Sequence, residues 1–170
     1  LQFITITSLA ILFILIFTVG IINTVRSFQT EQEISKVLNT LTENNGSFGK
    51  IKKIETNQGR EIPSDSFRFF SLTLSDDKVV SQDTSHTSLI NDEEAARYAL
   101  TVSRLTNNLG TIREKNINLS YQVSKVSKDK ILVVFLDTSS YYNSSQALFS
   151  LSILLSLFAF IFFVIIVSAL

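Results

Sequence analysis

The chain is 170 residues long, with 15 Lys and Arg against 15 Asp and Glu, one His, and no Cys, Met or Trp. A formal charge of zero excludes the diffuse basic footprint of a typical nucleic-acid binder, and the absence of cysteine excludes a disulfide framework and thiolate metal sites. Every charged residue lies between Arg26 and Asp137, a stretch about 27% charged and so close to the roughly 25% of soluble domains, while residues 1–25 and 138–170 carry none. That partition predicts two membrane spans around one soluble domain. With no Met, a start at Leu1 and an apolar run still in progress at Leu170, the sequence is expected to be a piece of a longer chain.

Residues 3–22 read FITITSLAILFILIFTVGII, 20 residues or roughly 30 Å of helix, the thickness of a bilayer core. The polar members Thr5, Thr7, Ser8 and Thr18 are of the kind that bond back to their own helix. A cleaved signal peptide requires a shorter core and a small-x-small exit, which Ile22-Asn23-Thr24-Val25-Arg26 does not offer. Residues 1–25 are therefore assigned to a first transmembrane helix. Neither proline nor glycine interrupts the chain from Ile21 to Asn45, so residues 26–46 continue it as a juxtamembrane helix. Ile34, Leu38 and Leu41 recur at i, i+4, i+7 opposite Glu31, Glu33, Lys36 and Glu43, and Asn44-Asn45-Gly46 supplies a left-handed stop.

Residues 47–143 form the central domain. Its first part, 50–65, is polar, holds Gly59 and Pro63, and reads as a loop with a short strand at 51–54. The cluster Lys50, Lys52 and Lys53 fits either anionic lipid headgroups or a solvated loop. A hairpin follows, 67–74 and 78–82 about Asp76-Asp77. Asn91 caps a helix with Asp92, Glu93 and Glu94 at its positive end; Ala95, Ala99, Val102, Leu105 and Leu109 form its buried stripe, and Gly110 closes it. A second hairpin pairs 118–126 with the apolar run 130–136 about Ser127-Lys128-Asp129. Residues 144–170 are the second transmembrane helix, its apolar run being 147–170. Ser152 and Ser156 permit close helix approach, and Tyr141 and Tyr142 stand where an interfacial aromatic belt falls.

The order helix, hairpin, helix, hairpin, span predicts an α+β domain, an antiparallel sheet with helices packed to one side. No nucleophile, base and acid set is visible, and the five glycines, at 20, 46, 49, 59 and 110, make no phosphate loop. His86, the only histidine, lies in a Ser/Thr-rich stretch and reads as surface. No catalytic residue, metal site or cofactor is expected within these residues. Arg68 and Asp137 belong to strands of one sheet, where they either pair or leave Arg68 to an anionic ligand. Tyr98 and Tyr121 are candidates to line a pocket.

The strand Arg68-Phe69-Phe70-Ser71-Leu72-Thr73-Leu74, the turn and return at 76–80, the helix motif Glu94-Ala95-Ala96-Arg97-Tyr98-Ala99 and the final Phe135-Leu136-Asp137 together resemble the extracytoplasmic input region of sensor histidine kinases of low-GC Gram-positive bacteria. The penultimate strand departs from that pattern, keeping only the aromatic Tyr121 of Leu119-Ser120-Tyr121. The resemblance implies a PAS-like or single-Cache-like domain outside a bacterial cell membrane, flanked by two spans and homodimeric through them. Arg68, Tyr98, Tyr121 and Asp137 would face a small ligand or a protein signal. It also implies a cytoplasmic kinase beyond Leu170, using ATP and Mg, which phosphorylates itself on His and passes the phosphoryl group to a response regulator. Input to a chemoreceptor or a cyclic-dinucleotide enzyme, or a non-signalling two-span envelope protein, are the readings that compete with it.

Overall fold

A computed structural model describes residues 2–57, 59–114 and 117–169. Along the chain these form α1 (Gln2–Glu43), β1 (Lys53–Glu55), β2 (Glu61–Pro63), a 3-10 turn (Ser64–Ser66), β3 (Phe69–Ser75), β4 (Lys78–Asp83), α2 (Asp92–Ser103), β5 (Leu109–Glu114), β6 (Ile117–Ser127), β7 (Lys130–Asp137) and α3 (Ser139–Ala169). The fold is α+β, a central antiparallel sheet with a long apolar helix at each end of the chain. Contacts divide the chain into two compact units, Leu1–Thr30 with Tyr141–Leu170, and Glu31–Ser140.

In the first unit α1 and α3 are long and apolar enough to cross a membrane. Their large side chains point outward: Leu9, Phe13 and Phe17 on α1 and Phe158 and Phe162 on α3 are all more than half exposed. Contiguous exposed apolar side chains of this kind mark surfaces that meet a membrane or another protein. Polar side chains along them bond back to their own helix, Asn23 to the Val19 carbonyl at 2.8 Å, Thr24 to Gly20 at 2.9 Å and Ser152 to Phe149 at 2.9 Å.

The second unit is built on a five-stranded sheet in the order β4-β3-β7-β6-β5, every neighbouring pair antiparallel. Counted along the chain within this sheet, the order is second, first, fifth, fourth, third. Asp76 and Asp77, at φ 49° and 58°, make the two-residue turn between β3 and β4; two successive left-handed residues match the twist of the strands they join. The outward alternation of β3 and β7 leaves both faces apolar, and both faces are covered. On one, α2 lays Ala95, Tyr98, Ala99 and Val102 over Phe70, Leu72, Leu119, Tyr121, Val133 and Phe135. On the other lies the end of α1: Ile34, Val37, Leu38 and Leu41 are buried, and Gln122, which faces away from α2, donates to Asn39 at 2.8 Å. The expectation of helices on one side is thus corrected, because two apolar sheet faces require two covers.

The end of α1 follows from its last residues. The Gly46 N–H bonds the Leu41 carbonyl at 2.8 Å and the Asn45 N–H bonds Thr42 at 3.3 Å, with Asn45 left-handed at φ 56°, the two-bond closure that satisfies the final carbonyls. Gly46 then passes so close to the sheet that any Cβ there collides with Ser71.

Two local expectations are also corrected. The helix of residues 91–110 stops at Ser103; Leu105 and Leu109 are half exposed, and Gly110 belongs to β5. Thr106-Asn107-Asn108 favour turns over helix, so the i, i+4 spacing of the two leucines had no helix to serve. The 50–65 region holds β1 and a second short strand, β2, paired as a ribbon through Ile54 and Ile62. The Gly59 N–H closes its turn on the Thr56 carbonyl at 3.0 Å.

Candidate functional site

Phe135, wholly buried in the central strand β7, organises the core under α2. Phe70 from β3 stacks on it with centroids 4.6 Å apart, and Tyr98 from α2 and Tyr121 from β6 tilt against it at 6.5 Å and 6.2 Å. Tyr98 and Tyr121, expected to line a pocket, are therefore brought together, but as 7% and 4% exposed members of a filled core.

Each tyrosine directs its polar end differently. The Tyr98 hydroxyl donates to the Glu114 carboxylate at 2.7 Å, and the Arg97 guanidinium sits 5.3 Å from its ring centre. Burial first, and then the bond to Glu114, hold that hydroxyl above its ordinary pKa. The Tyr121 ring instead folds across the strand pair onto Gly110, its register partner. A Cβ on Gly110 would lie 2.5 Å from Tyr121 Oη and 2.7 Å from its Cζ.

Arg68 and Asp137 meet at one end of the sheet through main chain. The Asp137 N–H donates to the Arg68 carbonyl at 2.8 Å, while the Arg68 side chain is exposed. Among the described residues the ion pairs are Lys53–Glu61 at 2.6 Å and Arg104–Asp77 at 3.7 Å, so the pairing considered for Arg68 and Asp137 is not made. The reason is local: the Asp137 carboxylate accepts the N–H of Ser139 at 2.9 Å, where α3 begins. The Lys53 ammonium of the basic cluster is held above its ordinary pKa by the hydrogen bond and then the charge of Glu61.

His86 is exposed and stacks on the buried Phe69, centroids 4.5 Å apart and planes 15° from parallel. Nearby, the Asp83 carboxylate is held below its ordinary pKa by the Ser85 hydroxyl at 2.6 Å and the Ser85 N–H at 3.0 Å. No group of three or more His, Asp or Glu side chains among the described residues is placed to hold a metal ion.

Sequence reasoning missed the polar groups around the start of α3. Thr138 is fully buried and its hydroxyl donates to the Asn118 carbonyl at 3.0 Å. Ser120 bridges Thr138 and Thr111, at 3.3 Å each. The signal was present, since Asp137-Thr138-Ser139 after an apolar strand is a helix-start pattern. No family of known proteins matches this chain in sequence, and neither does any curated protein.

Proposed function

We propose that this chain is the signal-input region of a membrane-bound sensor histidine kinase, with residues 47–143 outside a bacterial cell membrane and both chain ends on the cytoplasmic side. What supports the reading is the way the domain is wired to the two apolar helices. The first runs as one helix from Gln2 to Glu43 and ends against the sheet, and the central strand β7 passes into the second after Thr138 alone. A domain that serves only to bind a partner has no need of unbroken elements at both connections.

The sheet order, second, first, fifth, fourth, third, with a helix in the connection from second to third strand, resembles that of PAS-like and single-Cache-like domains. This is likeness of fold, and folds host many functions. Under this reading the chain is homodimeric through its spans, and signal shifts a two-state equilibrium of the paired helices. The phosphoryl group passes from ATP·Mg to a histidine beyond Leu170 and on to a response regulator.

With Tyr98, Tyr121 and Phe135 filling the space under α2, any small ligand binds elsewhere or enters by displacing them. The test is phosphorylation in membranes carrying the complete reading frame, given γ-labelled ATP and Mg. The expected result is an acid-labile, base-stable phosphoryl group on a histidine after residue 170. A frame that closes soon after Leu170, or label on serine or threonine only, overturns the reading.

A further inference from the structure

The start of α3 is bonded into the sheet more tightly than a connection requires. The Thr138 N–H donates to the Asn118 carbonyl at 2.8 Å and the Thr138 hydroxyl to the same oxygen at 3.0 Å. The Asn118 N–H donates to the Ser139 hydroxyl at 3.1 Å. Both main-chain groups of one β6 residue are thus taken by the two residues that turn β7 into α3. On the other side the Asp137 N–H bonds Arg68 ahead of β3, and the Asp137 carboxylate accepts the first helical N–H at 2.9 Å. The hydroxyl row Thr111, Ser120 and Thr138 extends the same network to the edge strand β5.

An ordinary strand-to-helix connection uses several residues, often with glycine, and absorbs movement. Here one residue lies between Asp137 and Ser139, fully buried and with no glycine or proline beside it. We propose that Asn118, Thr138 and Ser139 form a hydrogen-bonded joint that makes β6, β7 and the first residue of α3 one rigid body. Movement of the sheet then carries the first residue of α3 with it. This deepens the signalling reading and rests on it for its purpose, while the joint itself stands on the bonds above. Asn118 and Thr138 act as positioning residues, since neither touches a reacting group.

The test is amide hydrogen exchange on the complete protein in lipid nanodiscs, comparing wild type with Thr138→Val and Thr138→Ser. In wild type the amides of Asp137 and Thr138 are expected to exchange within about tenfold of Phe135 in the core of β7. Thr138→Val, which keeps the shape and removes the hydroxyl, is expected to speed exchange at Asp137 and Thr138 at least tenfold while Phe135 stays protected. Thr138→Ser restores the protection. Should Thr138→Val fail to fold, Ser139→Ala, which frees only the Asn118 N–H, gives the same comparison. Wild-type exchange at Thr138 as fast as in an open peptide, or no change on removing the hydroxyl, overturns the joint. Exchange does not depend on a kinase, so failed phosphorylation sinks the signalling reading and leaves the joint to be judged separately.

Discussion

Gly110 and Tyr121 are register partners, and the ring of one occupies the space a side chain would need on the other. Large aromatics settle over cross-strand glycines in this way. Gly110→Ala is accordingly expected to destabilise the domain by about 1–3 kcal/mol, as overpacking does, in thermal or urea unfolding of the detergent-solubilised chain. Combining it with Tyr121→Leu is expected to cost clearly less than the two separate losses added together. Tyr98 presents the opposite case, a buried ring with an anchored hydroxyl. Removing the bond to Glu114 in Tyr98→Phe is expected to cost about 0.5–1.5 kcal/mol at neutral pH. The sign of its pH dependence follows from the raised pKa of the folded state. The contribution is complete below the ordinary value of 10.0 and is lost as pH rises through the folded value. Melting followed from about pH 8 to about pH 11 is expected to show a steeper alkaline loss in wild type than in Tyr98→Phe.

At the scale of elements the domain depends on β7, whose Leu132 to Leu136 run is buried throughout between two helix-covered faces. Phe135→Ala is expected to lose about 3–5 kcal/mol, the range for a fully buried phenylalanine, and to unfold the sheet before α1 or α3 lose helicity, as read by near-UV against far-UV circular dichroism. β7 was legible in the sequence because five apolar residues in a row leave no solvent face to guess. The hairpin turn was legible because Asp76-Asp77 is one of the few pairs that tolerate two left-handed residues. The stop at Asn45-Gly46 was legible for the same conformational reason. β5 was not, since Leu109-Gly110-Thr111 carries a glycine whose purpose depends on Tyr121 across the sheet. β1 was expected two residues early, at 51–54, and β2, at three residues, is too short for alternation to show. Arg68, Tyr98, Tyr121 and Asp137 were found as notable residues, but their roles in packing and in starting α3 depend on distant partners.

For the molecule as a whole, the partition of charge and the two long apolar helices with outward-facing side chains are what the proposed membrane arrangement rests on. Under the proposed reading the charge-free stretch at each end, residues 2–25 and 138–169, crosses the bilayer, and the charged domain lies outside the cell. That reading puts the domain where an external signal acts and its output on the cytoplasmic side. The absence of native cysteine in these residues allows a direct check. Ser88, exposed in the loop ahead of α2, is replaced by cysteine, and intact bacterial cells producing the chain are treated with a membrane-impermeant maleimide. Labelling of Ser88→Cys in intact cells, undiminished relative to lysed cells, is the predicted result. Labelling that appears only after the membrane is broken would contradict it and remove the domain from the outside of the cell.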